Sequence, residues 1–171
     1  MNLNWVSLIT GFGIIFIPVA SGTTASLFSS HLPSGSGSST QLISQAASTE
    51  DRLEDRLVEG MDKGMLGDYQ GAIEDFTEVI RLYPNSAEAY YNRGIAYSKL
   101  GNSGAAMADY NKAVELNPNL AEAYVDRAQI YSGLGKTSDA LKDLKRAADL
   151  FKQQGNTIAY NQTLKMIQKL Q

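Results

Sequence analysis

The sequence predicts an all-α protein, an array of stacked antiparallel helix pairs preceded by an apolar N-terminal segment and a flexible linker. Three observations predict it. The stretch 87–120 reappears 34 residues downstream as 121–154 and 34 residues upstream as 53–86. Self-similarity at one fixed period is the mark of units that cannot bury their apolar faces alone and stack to do so. Each copy also divides in two at a Gly-led break, Gly67-Asp68, Gly101-Asn102 and Gly135-Lys136, where glycine ends one helix and a short turn starts the next. Finally, small residues recur opposite bulky ones, as interlocking helices require.

Taken in order, the chain begins with an apolar run at residues 5–20, broken only by Ser7 and Thr10. As a helix it falls short of the roughly 20 residues that span a bilayer, and its length suits the core of a secretory signal. Ala20-Ser21-Gly22 and Thr23-Thr24-Ala25 are alternative cleavage sites, although no Lys or Arg precedes the run. Residues 1–22 are therefore expected to be a signal peptide or a membrane anchor, and the protein to be exported (periplasmic, lumenal or secreted) or membrane-anchored through its N-terminus. Residues 23–47, rich in Ser and Gly, read as a flexible tether. His31, the sole histidine, lies in this tether with no metal-ligand partner nearby.

All 33 charged side chains lie from Glu50 onward, so the net charge of −3 belongs to the repeat region. A mildly acidic module without a basic stripe is a poor fit to a phosphate backbone, which argues against nucleic acid as a partner. The chain has no cysteine and thus neither disulfide nor thiolate metal site. No metal, cofactor or catalytic constellation is expected: the one histidine is in the tether, and the glycines sit where helix contacts and turns need them.

Order is expected to resume near residue 48, with Ser48 or Thr49 capping the first helix and Glu50 and Asp51 at its positive end. The three copies then occupy 48–86, 87–120 and 121–154. Tyr83-Pro84-Asn85 and Asn117-Pro118-Asn119 end the second helices of the first two, since proline cannot continue a helix. No proline follows Leu150, so the third copy's second helix should run to about Gln153. Counted within each copy, position 8 is Gly60, Gly94 and Ala128, position 20 is Ala72, Ala106 and Ala140, and position 24 is Phe76, Tyr110 and Leu144. Tyr97 is expected at the buried heart of the middle copy. Residues 155–171 form a last helix with Ile158, Tyr160, Leu164, Ile167 and Leu170 largely on its packed face. A formal glycosylation sequon, Asn161-Gln162-Thr163, falls within that helix and is expected to be a chance match.

These positions resemble the tetratricopeptide repeat (TPR). The middle copy carries the whole pattern in Tyr90, Gly94, Tyr97, Ala106, Tyr110, Ala113 and Pro118. The third keeps Tyr124, Tyr131, Ala140 and Ala147; the first keeps Gly60, Ala72, Phe76 and Pro84 but has Arg56 and Lys63 at the two tyrosine positions, as an end cap would. The resemblance implies a right-handed superhelical TPR solenoid closed by a capping helix at 155–171. It further implies a concave groove lined by the first helix of each repeat. Carried over position by position, the partner-binding residues are Glu54, Leu57, Val58, Met61 and Met65, then Glu88, Tyr91, Asn92, Ile95 and Lys99, then Glu122, Val125, Asp126 and Gln129.

That inventory is apolar at one end and acidic overall, with Lys99 its single cation. It suits a protein or peptide segment carrying apolar residues and Lys or Arg. Chaperone-binding members of the resembled family clamp a carboxylate with Lys, Asn, Asn, Lys and Arg. Here those places hold Leu57, Met61, Asn92, Glu122 and Asp126. Only Asn92 agrees, and no carboxylate-clamp chaperone binding is expected. The expected function is a non-catalytic interaction module, a scaffold or assembly factor for a membrane complex. The alternative is a self-associating structural repeat protein, a homo-oligomer joined through the apolar face of the first copy.

Overall fold

The computed structural model of the chain describes Leu8–Ile9, Ile14–Ile15 and residues 54–171. The chain divides into two units, Met1–Ser38 and Ser39–Gln171. In the first, β1 (Leu8–Ile9) pairs antiparallel with β2 (Ile14–Ile15), Leu8 opposite Ile15 and Ile9 opposite Ile14. At these four residues the backbone is extended, not the helix against which the leader's length was judged. The rest of the leader, the tether with His31 and the expected caps Ser48 and Thr49 lie outside the described residues.

From residue 54 onward the second unit is all-α. Helix α1 covers residues 54–65, followed by α2 (Tyr69–Leu82), α3 (Ala87–Lys99), α4 (Ser103–Leu116), α5 (Ala121–Gly133), α6 (Thr137–Gln153) and α7 (Thr157–Lys169). Each helix packs on its neighbours in sequence, α2 on α3, α3 on α4 and so on to α7, as a linear stack demands. The turns inside each repeat are built alike. Gly67, Gly101 and Gly135 have φ of 86°, 77° and 71°, a left-handed conformation that glycine adopts without a steric penalty. The next amide then donates back to the helix just ended: Asp68 N to Lys63 O, Asn102 N to Tyr97 O, Lys136 N to Tyr131 O, each at 2.9 Å. Asp68 and Asn102 go on to cap α2 and α4, accepting from Gly71 N at 2.9 Å and Ala105 N at 3.1 Å. Helix α6 ends at Gln153, as the missing proline requires, and Gly155 turns the chain into α7 with φ 72°.

The core runs along the stack as a chain of small clusters. Ala72, Ile73, Phe76 and Ala96 form the first, and Ala128, Ala140 and Leu144 the last cluster before the cap. Position 8 faces position 24 so closely that no side chain fits in the first two repeats. A Cβ on Gly60 would lie 2.8 Å from the Phe76 ring, and one on Gly94 would lie 2.7 Å from the Tyr110 ring. In the third repeat the smaller Leu144 leaves room for the methyl of Ala128, and both are buried. The two departures from the repeat pattern compensate each other.

Two expectations need correction. Tyr97 is half-buried at the edge of the first cluster, and the buried heart of the middle repeat is Tyr110, only 2% exposed. The physical reason is that Tyr97 lies beside the charged Arg93, whose guanidinium stands 5.9 Å from its ring centroid and keeps that side partly open to solvent. On α7, Ile158 and Leu164 face outward, 74% and 40% exposed. The packed face is Tyr160, Thr163, Met166, Ile167 and Leu170. Thr163 occupies its centre by donating its hydroxyl to Ala159 O at 2.8 Å, so a polar residue is buried without an orphaned group.

Candidate partner-binding groove

The first helices α1, α3 and α5 carry the expected groove residues, and the structure sorts them into three groups. Leu57, Met61 and Val125 are half-buried against the core: the first two pack on the Ala72–Phe76 cluster, while Val125 packs on both clusters of the third repeat. Glu54, Val58, Met65, Glu88, Lys99 and Gln129 are exposed. Asn92, Ile95 and Glu122 are half-buried. The apolar end of the face therefore reduces to Val58 and Met65, with Leu66 beside Met65 in sequence and 87% exposed.

Tyr91 and Asp126 join the faces of α3 and α5. The Tyr91 hydroxyl donates to Asp126 Oδ2 at 3.0 Å, and Gln129 Nε2 donates to Asp126 Oδ1 at 3.1 Å. Both carboxylate oxygens are thus held by neutral donors. Burial raises the Asp126 carboxyl above its usual 3.8, nearby Glu122 adds to the rise, and the Tyr91 bond and Lys99 oppose it. Burial and the adjacent Asp126 charge push the Tyr91 phenol up well beyond its usual range. A recess of about 310 Å³ opens here, lined by Ser98, Ser103, Tyr110, Asp126, Gln129, Ile130, Gly133 and Leu134.

The other aspartates of the repeats are treated differently. Arg93 grips Asp109 with two bonds of 2.8 Å, Nε to Oδ2 and Nη2 to Oδ1, and extends Nη1 to Thr77 of the preceding repeat at 3.1 Å. Arg127 repeats this on Asp143 at 2.7 and 2.8 Å and reaches Asn111 at 2.9 Å. Each guanidinium also sits between two tyrosine rings, Tyr90 and Tyr97 or Tyr124 and Tyr131, at 5.4–6.0 Å from their centroids. The first repeat redistributes the same charges. Position 7 becomes Glu59, and the cations move to the former tyrosine positions. Arg56 donates to Asp75 Oδ1 at 3.0 Å, Lys63 Nζ sits 2.6 Å from Asp75 Oδ2, and both also pair with Glu59. Sequence reasoning missed these pairs, although Asp75, Asp109 and Asp143 recur every 34 residues and each arginine precedes its aspartate by 16. They are structural groups, so the groove's own chemistry rests on the residues outside this recurring set.

Tetratricopeptide repeat sequence patterns match residues 66–101, 87–120 and 109–142 in tandem, the middle match having the boundaries of the central copy. The chain belongs to the tetratricopeptide repeat family. No curated protein matches it significantly. Solved TPR structures superpose well. The TPR2B domain of yeast Sti1, in a complex with pHsp70, is 29% identical, with 69% of this chain and 94% of that one covered at a TM-score of 0.65. The first TPR of Spaghetti (RPAP3), bound to the HSP90 peptide SRMEEVD, is also 29% identical, with 70% and 94% covered at 0.61. The type III secretion translocator chaperone SycD of Yersinia enterocolitica is 16% identical, with 71% and 84% covered at 0.68, and shares the fold. The TPR solenoid is therefore the architecture of residues 54–171. Among the described residues, no group of three or more His, Cys, Asp or Glu is placed to hold a metal ion, and no helix is long and apolar enough to cross a membrane.

Proposed function

We propose that this TPR array is a non-catalytic protein-interaction module whose groove takes a partner segment carrying apolar residues and Lys or Arg. One observation carries the reading. The face shared by α1, α3 and α5 presents Glu54, Glu88, Glu122 and Asp126 against Lys99 alone, and none of the four acids belongs to the recurring aspartate pairs. The similar Sti1 and RPAP3 domains hold peptides of other proteins, which supports a peptide-binding role. Their Hsp70 and HSP90 peptides are not the proposed ligand: a carboxylate would meet Glu122 and Asp126 at two of the places where the clamp requires cations. The uncharged apolar run at residues 5–20 supports export or attachment at a membrane, where the module would act as a scaffold or assembly factor. Capture from the native membrane fraction tests this, with N-terminal sequencing of the mature chain. The double variant Glu122→Lys/Asp126→Lys should lose the partner while keeping its helicity. Equal capture by that variant would sink the acidic groove.

Self-association is the second reading, favoured by the exposure of Met65 and Leu66, 78% and 87%. It predicts that the mass of residues 48–171 rises with concentration, and that Met65→Ser/Leu66→Ser abolishes the rise. A clean monomer at high concentration would exclude it.

A further inference from the structure

Asp126 stands apart from the other half-buried or buried aspartates of the repeats. Asp75, Asp109 and Asp143 are each paired with Arg or Lys at 3.0 Å or less. Asp126 lies just as firmly in place, between Tyr91 and Gln129, yet among the described residues no cation comes within ion-pair distance of it. Removing a carboxylate partly from water without a counter-charge is unfavourable, and Glu122 nearby makes it more so. The array could have avoided this arrangement with an asparagine, which would accept the same two bonds. Beside the carboxylate lies the recess of about 310 Å³, room for one long side chain. Its walls combine the Tyr110 ring and Ile130 with the Ser98 and Ser103 hydroxyls and the Gln129 amide. Apolar walls along the shaft and a carboxylate at one end match an alkyl chain ending in a positive group.

The geometry points to this recess as a specificity subsite for a single lysine or arginine side chain of the bound segment. The inference rests on the groove reading above and adds the place where the partner's charge is read. Each Asp126 oxygen accepts one bond from the array and retains a free lone pair, so an incoming ammonium or guanidinium adds to the network without displacing Tyr91 or Gln129. Binding there supplies the missing counter-charge, so recognition of a basic residue is favoured over an apolar or neutral polar one of similar size.

The test uses the isotope-labelled full chain and two small probes, N-acetylarginine amide and its uncharged isostere N-acetylcitrulline amide, followed by NMR. The arginine probe should shift the Gln129 side-chain amide and the backbone amides of Ser98 and Ile130. The citrulline probe should bind about tenfold more weakly or worse. Asp126→Asn should erase that preference, and Gln129→Leu, at an exposed position, should reduce it while retaining the wild-type melting profile. Equal affinity for both probes, shifts elsewhere only, or a preference that survives Asp126→Asn would overturn the subsite. Failure of this inference is separable from failure of the groove reading. A captured partner segment that protects α3 and α5 without shifting Gln129 or Ser98 would leave the groove standing and remove the subsite.

Discussion

At the scale of single residues, the account turns on pairs. Gly94 and Tyr110 form one unit, because a methyl at 94 would sit 2.7 Å from the ring. Gly94→Ala should therefore destabilise the array by about 1–3 kcal/mol, the usual range for overpacking a core. Combining it with Tyr110→Leu recreates the Ala128–Leu144 pairing of the third repeat and should recover part of the loss. Thermal melts of the two single variants and the double would show this as a favourable coupling; strict additivity would refute the contact. Tyr110→Ala should cost about 3–5 kcal/mol, and Tyr97→Ala less, because Tyr97 is only half-buried. The small-large alternation was legible in the sequence, but the depth of each tyrosine was not, since it depends on whether a guanidinium lies against the ring. Asp126 gives a pH signature. Its folded pKa is raised, so its contribution to stability is fully present below the unfolded value near 3.8 and is lost as pH rises through the folded value. Asp126→Asn should accordingly be neutral or mildly stabilising at pH 7 relative to wild type, and the difference should shrink on acidification below the usual aspartate range. A variant markedly less stable at pH 7 would contradict the sign.

At the scale of elements, each repeat is locked by one aspartate on its second helix. Asp109→Ala would leave Arg93 largely enclosed and unpaired, and should cost about 3 kcal/mol or more by the usual penalty for breaking a buried pair. Arg56→Ala should be much milder, because its side chain is 39% exposed and Lys63 still faces Asp75. The polar residues at the two tyrosine positions of the first repeat were readable as an end-cap departure. Their convergence on Asp75 was not, because it joins residues 19 and 12 places apart on different helices. Helix α7 shows a similar limit. Its amphipathicity was visible, but the face was misjudged by weighing Ile158 and Leu164 above Thr163. A hydroxyl that bonds its own helix backbone can occupy the interior, and no tally of apolar residues detects that. Truncation after Gln154 should expose Leu144, Leu150 and Phe151, lower the melting temperature sharply and promote aggregation. An unchanged melt would mean that α7 is not a cap.

At the scale of the whole molecule, a TPR array separates what holds it together from what it presents. The residues that recur every 34 positions are spent on stacking, and the first-helix residues that do not recur are left for a partner. This is why the fold was legible in nearly every element while the groove was legible only in outline. Position rules named fourteen groove residues, but the core takes up Leu57, Met61 and Val125. The Tyr91–Asp126 bond, spanning 35 residues, appears only when α3 and α5 are brought side by side.

The central claim is that this face binds a basic and apolar protein segment. Site-specific photo-crosslinking in the native membrane fraction tests it most directly, with the crosslinker at Glu88 on α3 and, as control, at exposed Ala108 on α4. The account predicts a discrete adduct from position 88 whose crosslinked segment is rich in Lys or Arg and apolar residues, absent from position 108 and lost in the Glu122→Lys/Asp126→Lys background. An adduct from position 108 alone, or an acidic segment captured at position 88, would contradict it.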